Sequence, residues 1–305
     1  MFTLNQLNTF KVVAELGSFN KAAELLYIAP NAVMKQINNL ETELGTKLFT
    51  RSYRGQTLTE AGEKLFENAN FILSYCDSTV ATIKSLAEGS ENVIRIGTTI
   101  TAPIEIFNDI WMMIRKKHPD IKLEINTLNP ESDRTVYNSI GQEVDLMIGS
   151  YDNLLLKSNT FSALEIMRVK PCAALSINHR LADKEEISFE DLHGENLLIG
   201  RAGRQQFIDE IRDYITAEHS EITLEEFGVY SMDLYNRCAN SDDILLGTGS
   251  ILRTHPLLKR IPIKWDKTSP YGIVYAICPT PAVENFVEIF KEAWIEKYGG
   301  IGFIV

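Results

Sequence analysis

The sequence predicts a three-part α/β protein, and three observations predict it. Three helix-sized segments and two short strand-like runs fill residues 1–58, a seven-residue apolar repeat runs through 59–88, and β and α patterns alternate from Asn92 to Tyr298. The 305 residues are 45% hydrophobic and 23% charged, with mean hydropathy −0.08, which suits two or three buried cores and excludes disordered and collagen-like chains. No apolar run approaches the ~20 residues of a membrane span, and Met1 to Gln6 carry no basic and apolar leader. A cytoplasmic protein without membrane contact is expected.

Cys76, Cys172, Cys238 and Cys278 lie far apart, and so do the five histidines, which leaves no metal-ligand spacing and no Cys/His pair. Buried thiols, no metal and no cofactor are expected. The net charge of −11 argues against a uniformly basic polyanion binder. It hides an asymmetry: residues 1–58 hold six Lys and Arg against four Glu, a net +2, so the remainder holds −13.

Leu4, Leu7, Phe10 and Ala14 form a helical stripe that Gly17-Ser18 stops, and Ser18 offers an N-cap to the next helix, Phe19 to Leu26. Ala22, Ala23 and Leu26 give that helix a small apolar face. Pro30 suits the first position of a third helix running to about Gly45. On it Val33, Ile37, Leu40 and Leu44 cluster between about 180° and 240° from Asn31, whereas Met34, Lys35 and Asn38 lie within about 60° of it. The second group presents amides and an ammonium suited to base edges and phosphates; a merely solvated helix face is the competing reading. Two short runs around Arg54-Gly55 then suggest a hairpin wing carrying Arg51, Tyr53 and Arg54. Three helices and a wing make a winged helix-turn-helix.

Leu7-x2-Phe10, Gly17-Ser18-Phe19-x2-Ala22-Ala23-x-Leu25, Ala32-Val33-x2-Gln36-Ile37-x2-Leu40-Glu41-x2-Leu44-Gly45, Leu48-Phe49-x-Arg51 and Leu58-Thr59-x-Ala61-Gly62 follow in order. This run resembles the N-terminal domain of LysR-type transcriptional regulators. The resemblance implies that residues 1–58 bind double-stranded DNA, with Ser18, Asn20, Lys21, Pro30, Asn31, Met34, Lys35, Asn38, Arg51, Tyr53 and Arg54 as candidate contacts. Members commonly carry Ser-Gln at the entry to the third helix and a Ser one turn in; here Ala29-Pro30 and Met34 stand there, so the family's base preferences do not transfer. Met34 either meets a thymine methyl or packs, and packing is favoured.

Thr59 caps a helix that runs to about Ala87, roughly 40 Å at 1.5 Å per residue. Leu65, Ile72, Thr79 and Leu86 repeat every seven residues, with Ala69, Cys76 and Ile83 between them, an a/d seam weakened at Thr79. The resemblance implies a homodimer, or a dimer of dimers, paired along Leu65, Ala69, Ile72, Cys76, Ile83 and Leu86; packing against its own domain is the competing reading.

Residues 89–305 read as two lobes built on parallel sheets, lobe I over about 91–160 and 268–305 and lobe II over about 161–267. The resemblance implies that these form a periplasmic-binding-protein-like effector domain with a small molecule in its cleft. Thr98, Thr99 and Thr101 precede one helix, and Gly200-Arg201-Ala202-Gly203-Arg204 precedes another, a combination suited to an anionic effector. Thr98, Thr99, Thr101, Gly149, Arg201, Gly203 and Arg204 are the candidate effector contacts, against the plainer reading of helix caps and solvated arginines. Lobe I includes strands Val93 to Ile96, Ile121 to Ile125, Val144 to Ile148 and Gly272 to Ile277, and helices at Pro103, Val136 to Ile140 and Pro281 to Tyr298. Lobe II includes strands in Ala163 to Lys170, Leu197 to Ile199, Thr223 to Phe227 and Ile244 to Leu246, with helices at Ser188 to Leu192, Gln205 to Ala217 and Met232 to Cys238.

No phosphate loop, nucleophile elbow, H-E-x-x-H or dinucleotide fingerprint occurs, and an enzyme is not expected. A DNA-binding regulator answering to a small effector is the reading adopted. The alternative is a cytoplasmic ligand-binding protein of solute-binding fold whose altered helix entry has lost productive DNA binding.

Overall fold

The computed structural model describes residues 1–52, 55–90, 92–99, 105–128, 137, 139–152, 155–156, 160–248, 255–300 and 303–304. Helix α1 (Leu4–Leu16) begins in a capping box between Thr3 and Gln6 and ends at Gly17, whose φ of 61° supplies the left-handed cap. Ser18 caps α2 (Phe19–Leu25), and Pro30 opens α3 (Pro30–Leu44). Leu7, Phe10, Val13, Ala22, Ala23, Val33, Ile37 and Leu40 close one core. Leu4 and Leu44, expected in the buried stripes, are instead exposed at the helix ends, because the core ends one turn inside each.

Glu41 is buried among these apolar groups, and its contacts explain why. Its Oε1 accepts the Leu48 and Phe49 N–H groups at 2.9 and 3.4 Å, and its Oε2 meets Lys47 Nζ at 2.6 Å. A charge this dry persists only with such partners. The carboxylate thereby pins α3 to the wing, strands β1 (Phe49–Ser52) and β2 (Gly55–Leu58), which pair antiparallel from Phe49↔Leu58.

The long helix α4 (Glu60–Glu88) has Thr59 as its N-cap and Gly89 as its stop, and its 29 residues span about 43 Å. Leu65, Ala69 and Ile72 pack into the N-terminal core, with Ala69 fully buried. Within one chain the first turns of α4 therefore pack on their own domain, with Leu65 and Ile72 half-buried. Ile83 and Leu86 further along remain 61% and 59% exposed.

The first large sheet contains β3 (Val93–Thr98), β4 (Lys122–Thr127), β5 (Leu146–Ser150), β6 (Phe161–Val169), β12 (Ser269–Ala276) and β13 (Phe303–Ile304), in spatial order β13-β6-β12-β5-β3-β4. Helices α5 (Glu105–Lys117) and α8 (Pro281–Tyr298) cover one face, with the Phe107 and Phe290 rings stacked 5.5 Å apart. The second contains β7 (Pro171–Ser176), β8 (Asn196–Gly200), β9 (Thr223–Phe227), β10 (Ile244–Thr248) and β11 (Leu258–Pro262), in order β11-β7-β10-β8-β9. Its strands alternate burial between faces: Ala173, Leu197, Ile199 and Leu246 meet α6 (Gln206–Glu218), whereas Cys172, Ala174, Leu198 and Leu245 meet α7 (Met232–Ala239).

Four sequence expectations need correction. Both sheets are mixed, since β12 runs antiparallel to β5 and β6, and β7 antiparallel to β10 and β11. β6, expected in lobe II, is hydrogen-bonded into the first sheet, so the chain crosses at Lys170 rather than near residue 161. The pairing with β12 over a hundred residues later decides this, and no local pattern encodes it. The strand expected at Val144 to Ile148 lies at Leu146–Ser150, which places Gly149 inside it. The expected helix at Ser188 to Leu192 is a single 3-10 turn, Glu190–Leu192; of the helix expected at Val136 to Ile140, residues 136 and 138 fall outside the described residues, and Ile140 forms an isolated bridge with Val144.

Two segments join the sheets, β6 to β7 and β11 to β12, and they are tied together. Arg168 Nε donates to Thr268 Oγ1 at 2.7 Å and Arg168 Nη2 to the Thr268 carbonyl at 3.1 Å, while Ile263 N–H donates to the Pro171 carbonyl at 2.9 Å. Cys172, Cys238 and Cys278 are buried and Cys76 is half-buried. Burial pushes the Cys172 thiol up to about 11 and the Cys238 thiol up to about 12, so both stay protonated.

Candidate nucleic-acid interface and effector cleft

The candidate recognition face is built by the periodicity of one helix. Val33, Ile37 and Leu40 turn inward, so Asn31, Lys35 and Asn38 turn outward and are exposed, spread over about 10 Å of helix. Met34 beside them is half-buried, as expected of a packing residue. Thr9 Oγ1 donates to Gln36 Oε1 at 2.7 Å, which fixes the rotation of α3 against α1. Pro30, Asn20 and Lys21 are exposed, whereas the Ser18 hydroxyl accepts the Lys21 N–H at 3.4 Å and so serves its own helix. Ala29 places no side-chain cap on α3. Arg51 lies in β1 of the wing; Tyr53 and Arg54 fall outside the described residues.

Between the two sheets the structure forms a cavity of about 1060 Å3 that also reaches α4 at Asn70 and Ser74. It brings together Thr99, Gly149, Gly203 and Arg204 of the sequence-predicted set. Thr98 and Arg201 are not among its lining residues, and Thr101 falls outside the described residues. Thr98 is held in β3, and the Arg201 N–H is spent on the Phe227 carbonyl at 3.1 Å while its side chain is exposed. Arg204 Nη1 donates to the Gly228 carbonyl at 2.6 Å.

Sequence reasoning missed the groups that cross the cleft. Ser150 and Thr248 hydroxyls approach to 3.4 Å. Asp152 Oδ2 accepts the Gln206 N–H at the start of α6 at 3.2 Å, while Oδ1 accepts the Leu155 N–H at 2.9 Å. The Gly203 N–H is taken by both oxygens of Asp209, at 3.2 and 3.0 Å. Carboxylates of the chain itself therefore occupy the amides at this helix start, where an external anion was expected. The one available signal was an aspartate directly following a strand and tyrosine. That tyrosine, Tyr151, is buried beside Glu165, and burial first, then the carboxylate, pushes its phenol up to about 12, so it stays neutral. Among the described residues no group of three or more His, Cys, Asp or Glu is placed to hold a metal, and no helix is long and apolar enough to cross a membrane.

Residues 4–63 match the family model for bacterial regulatory helix-turn-helix proteins of the lysR family, and residues 87–233 match the LysR substrate binding domain. A probable RuBisCO transcriptional regulator of Chlorokybus atmophyticus is 31% identical over 226 residues, 72% of this chain and 68% of that one. The chain belongs to the LysR family of transcriptional regulators. This LysR-type regulator is similar also to a probable RuBisCO transcriptional regulator of Trichormus variabilis, 30% identical over 251 residues, 82% of this chain and 72% of that one. The crystal structure of CbnR, a LysR family transcriptional regulator, shares its fold with a TM-score of 0.53 at 16% identity, covering 96% of this chain and 99% of that one. The LysR-type regulator thus joins a DNA-binding helix-turn-helix domain to an effector-binding domain; the exposed face of α3 lies in the first, and the cavity between the sheets of the second is also lined by Lys11 of α1 and Asn70 of α4.

Proposed function

We propose that this LysR-type regulator reads a paired DNA site with the Asn31, Lys35 and Asn38 faces of two copies of α3, and that a small effector entering the cleft alters the spacing of the two copies. The carrying observation is the polar, exposed face of α3 standing opposite its buried Val33, Ile37 and Leu40. The exposed Ile83 and Leu86 in the outer half of α4 support pairing with a second copy, since an unpaired apolar row on a 29-residue helix favours burial. The working units are then residues 1–58 for DNA, 59–88 for pairing and 89–305 for the effector, in a cytoplasmic protein that binds its effector without converting it.

The test is selection of sheared genomic DNA by the purified protein in moderate salt, followed by sequencing. Enrichment of a few fragments bearing an inverted repeat supports the reading. If folded, oligomeric protein enriches nothing, the uncapped Ala29-Pro30 entry has removed DNA binding and the alternative of a ligand-binding protein takes its place. On an enriched duplex, Lys35→Ala is expected to raise Kd about tenfold and to lower the salt slope, because a lost phosphate contact releases one counterion fewer. Unchanged affinity would move the recognition face elsewhere.

The occupied α6 start bears on the effector. An anionic effector at this point competes with Asp152, so Asp152→Ala opens a binding place for simple anions. Sulfate is then expected to raise the melting temperature of the variant more than that of the parent, by mass action on the folded state. Equal responses would show that Asp152 is not holding an anion site.

A further inference from the structure

The turn between α2 and α3 holds a residue that the fold does not explain. Tyr27 has φ 54°, the one non-glycine residue with positive φ among the described residues. The helix ends at Gly17, Gly45, Gly89 and Gly299 use glycine for the same left-handed step, with φ between 61° and 77°. At the end of α2 the pattern is equally complete: the Tyr27 N–H donates to the Glu24 carbonyl at 3.3 Å and the Ile28 N–H to the Ala23 carbonyl at 3.0 Å, with Ile28 packed on the core. Glycine would satisfy that geometry without the clash that a Cβ brings. The ring adds nothing to packing, being 95% exposed. A bulky residue kept in a disfavoured conformation and aimed at solvent points to a contact outside the chain.

Its place says which. Tyr27 precedes Pro30 by three residues, and Ala29, Pro30 and Asn31 are exposed alongside it at the start of the recognition helix. With α3 in a major groove, a group just ahead of its N-terminus meets the sugar-phosphate wall rather than the base edges. A phenol O–H is a good donor to a phosphate oxygen and carries no charge. We propose that Tyr27 is a DNA-backbone contact, its hydroxyl donating to a phosphate that flanks the groove entered by α3. This rests on the DNA-binding reading above and deepens it: Tyr27 sets position and affinity, while the α3 face sets sequence preference.

The test uses the full-length protein, a duplex retained from sheared genomic DNA and a scrambled duplex of equal length. Tyr27→Phe and Tyr27→Gly are each expected to weaken binding about fivefold on both duplexes. The slope of log Kd against log salt should stay the same, because a neutral donor displaces no counterion. Tyr27→Gly should also slow amide exchange in α1 to α3, since it relieves the backbone, so its weaker binding cannot be ascribed to a damaged domain. Unchanged affinity of Tyr27→Phe, with Lys35→Ala weakened, overturns this inference alone. A loss confined to the retained duplex overturns the phosphate assignment in favour of base contact. If neither Tyr27→Phe nor Lys35→Ala changes binding, the recognition face and this inference fall together.

Discussion

Gly62→Ala is expected to abolish DNA binding while leaving the effector domain folded. Gly62 lies in the first turn of α4, where a Cβ would overlap the Leu48 carbonyl oxygen and stand 3.0 Å from Leu58 Cδ2. The carbonyl cannot retreat. It accepts the Thr59 N–H at 3.0 Å, and the Leu48 N–H is itself bound by buried Glu41. Thr59 in turn receives the Gly62 N–H at 3.0 Å and donates to the Lys47 carbonyl at 2.7 Å. An added methyl must therefore push α4 off the wing, breaking several hydrogen bonds and uncovering Ala69. Overpacking against fixed backbone costs about 3 kcal/mol. A small domain has only about 5 kcal/mol or somewhat more in hand. Amide exchange resolved along the chain checks this: protection should fall across α1 to β2 and persist in β7 to β10. Undiminished operator binding would mean that α4 slides at little cost.

Gly272→Ala should do the reverse, destroying the first large sheet. The added Cβ would strike the Leu164 carbonyl oxygen, 2.9 Å from its carbon and 3.1 Å from Glu165 Cα. All three are backbone atoms of the neighbouring strand. The register of β12 against β6 shifts between Tyr271 and Gly272, so the two strands approach closely at this irregular step. On its other side Gly272 faces Gly149 of β5, which lines the cleft, and the displacement passes directly to that cleft. A loss of about 3 kcal/mol or more is expected, seen as insoluble protein or as an effector domain melting well below the parent's temperature. Retention of the parent's melting temperature would show that β6 can bulge further.

Local chemistry explains which elements the sequence revealed. Helix α8 is bounded at Pro281 and Tyr298 as expected, because Thr280 caps it, proline opens it and Gly299 closes it within consecutive residues. β9 likewise matches, and α4 differs by one residue at its end. β7 went unread because its small side chains carry little strand signature; its six buried residues are held by β10 and β11, some seventy to ninety residues later. The exposed polar face of α3 was legible because one helical period decides it. The cleft was legible only in part, since its polar crossings join residues such as Asp152 and Gln206, separated by 54 positions, and only the assembled lobes show that acids of the chain already hold the amides.

The tie between the two connecting segments has a mechanical consequence. The Arg168–Thr268 bonds lie at the end of the first sheet, beside the Val169↔Ser269 pair, and the Ile263–Pro171 bond lies at the start of the second, beside the Pro262↔Cys172 pair, so each tie holds the two crossing strands together within its own sheet. The two strands that pass between the sheets are thus lashed side by side on both sides of the crossing, and a change in the course of one is imposed on the other.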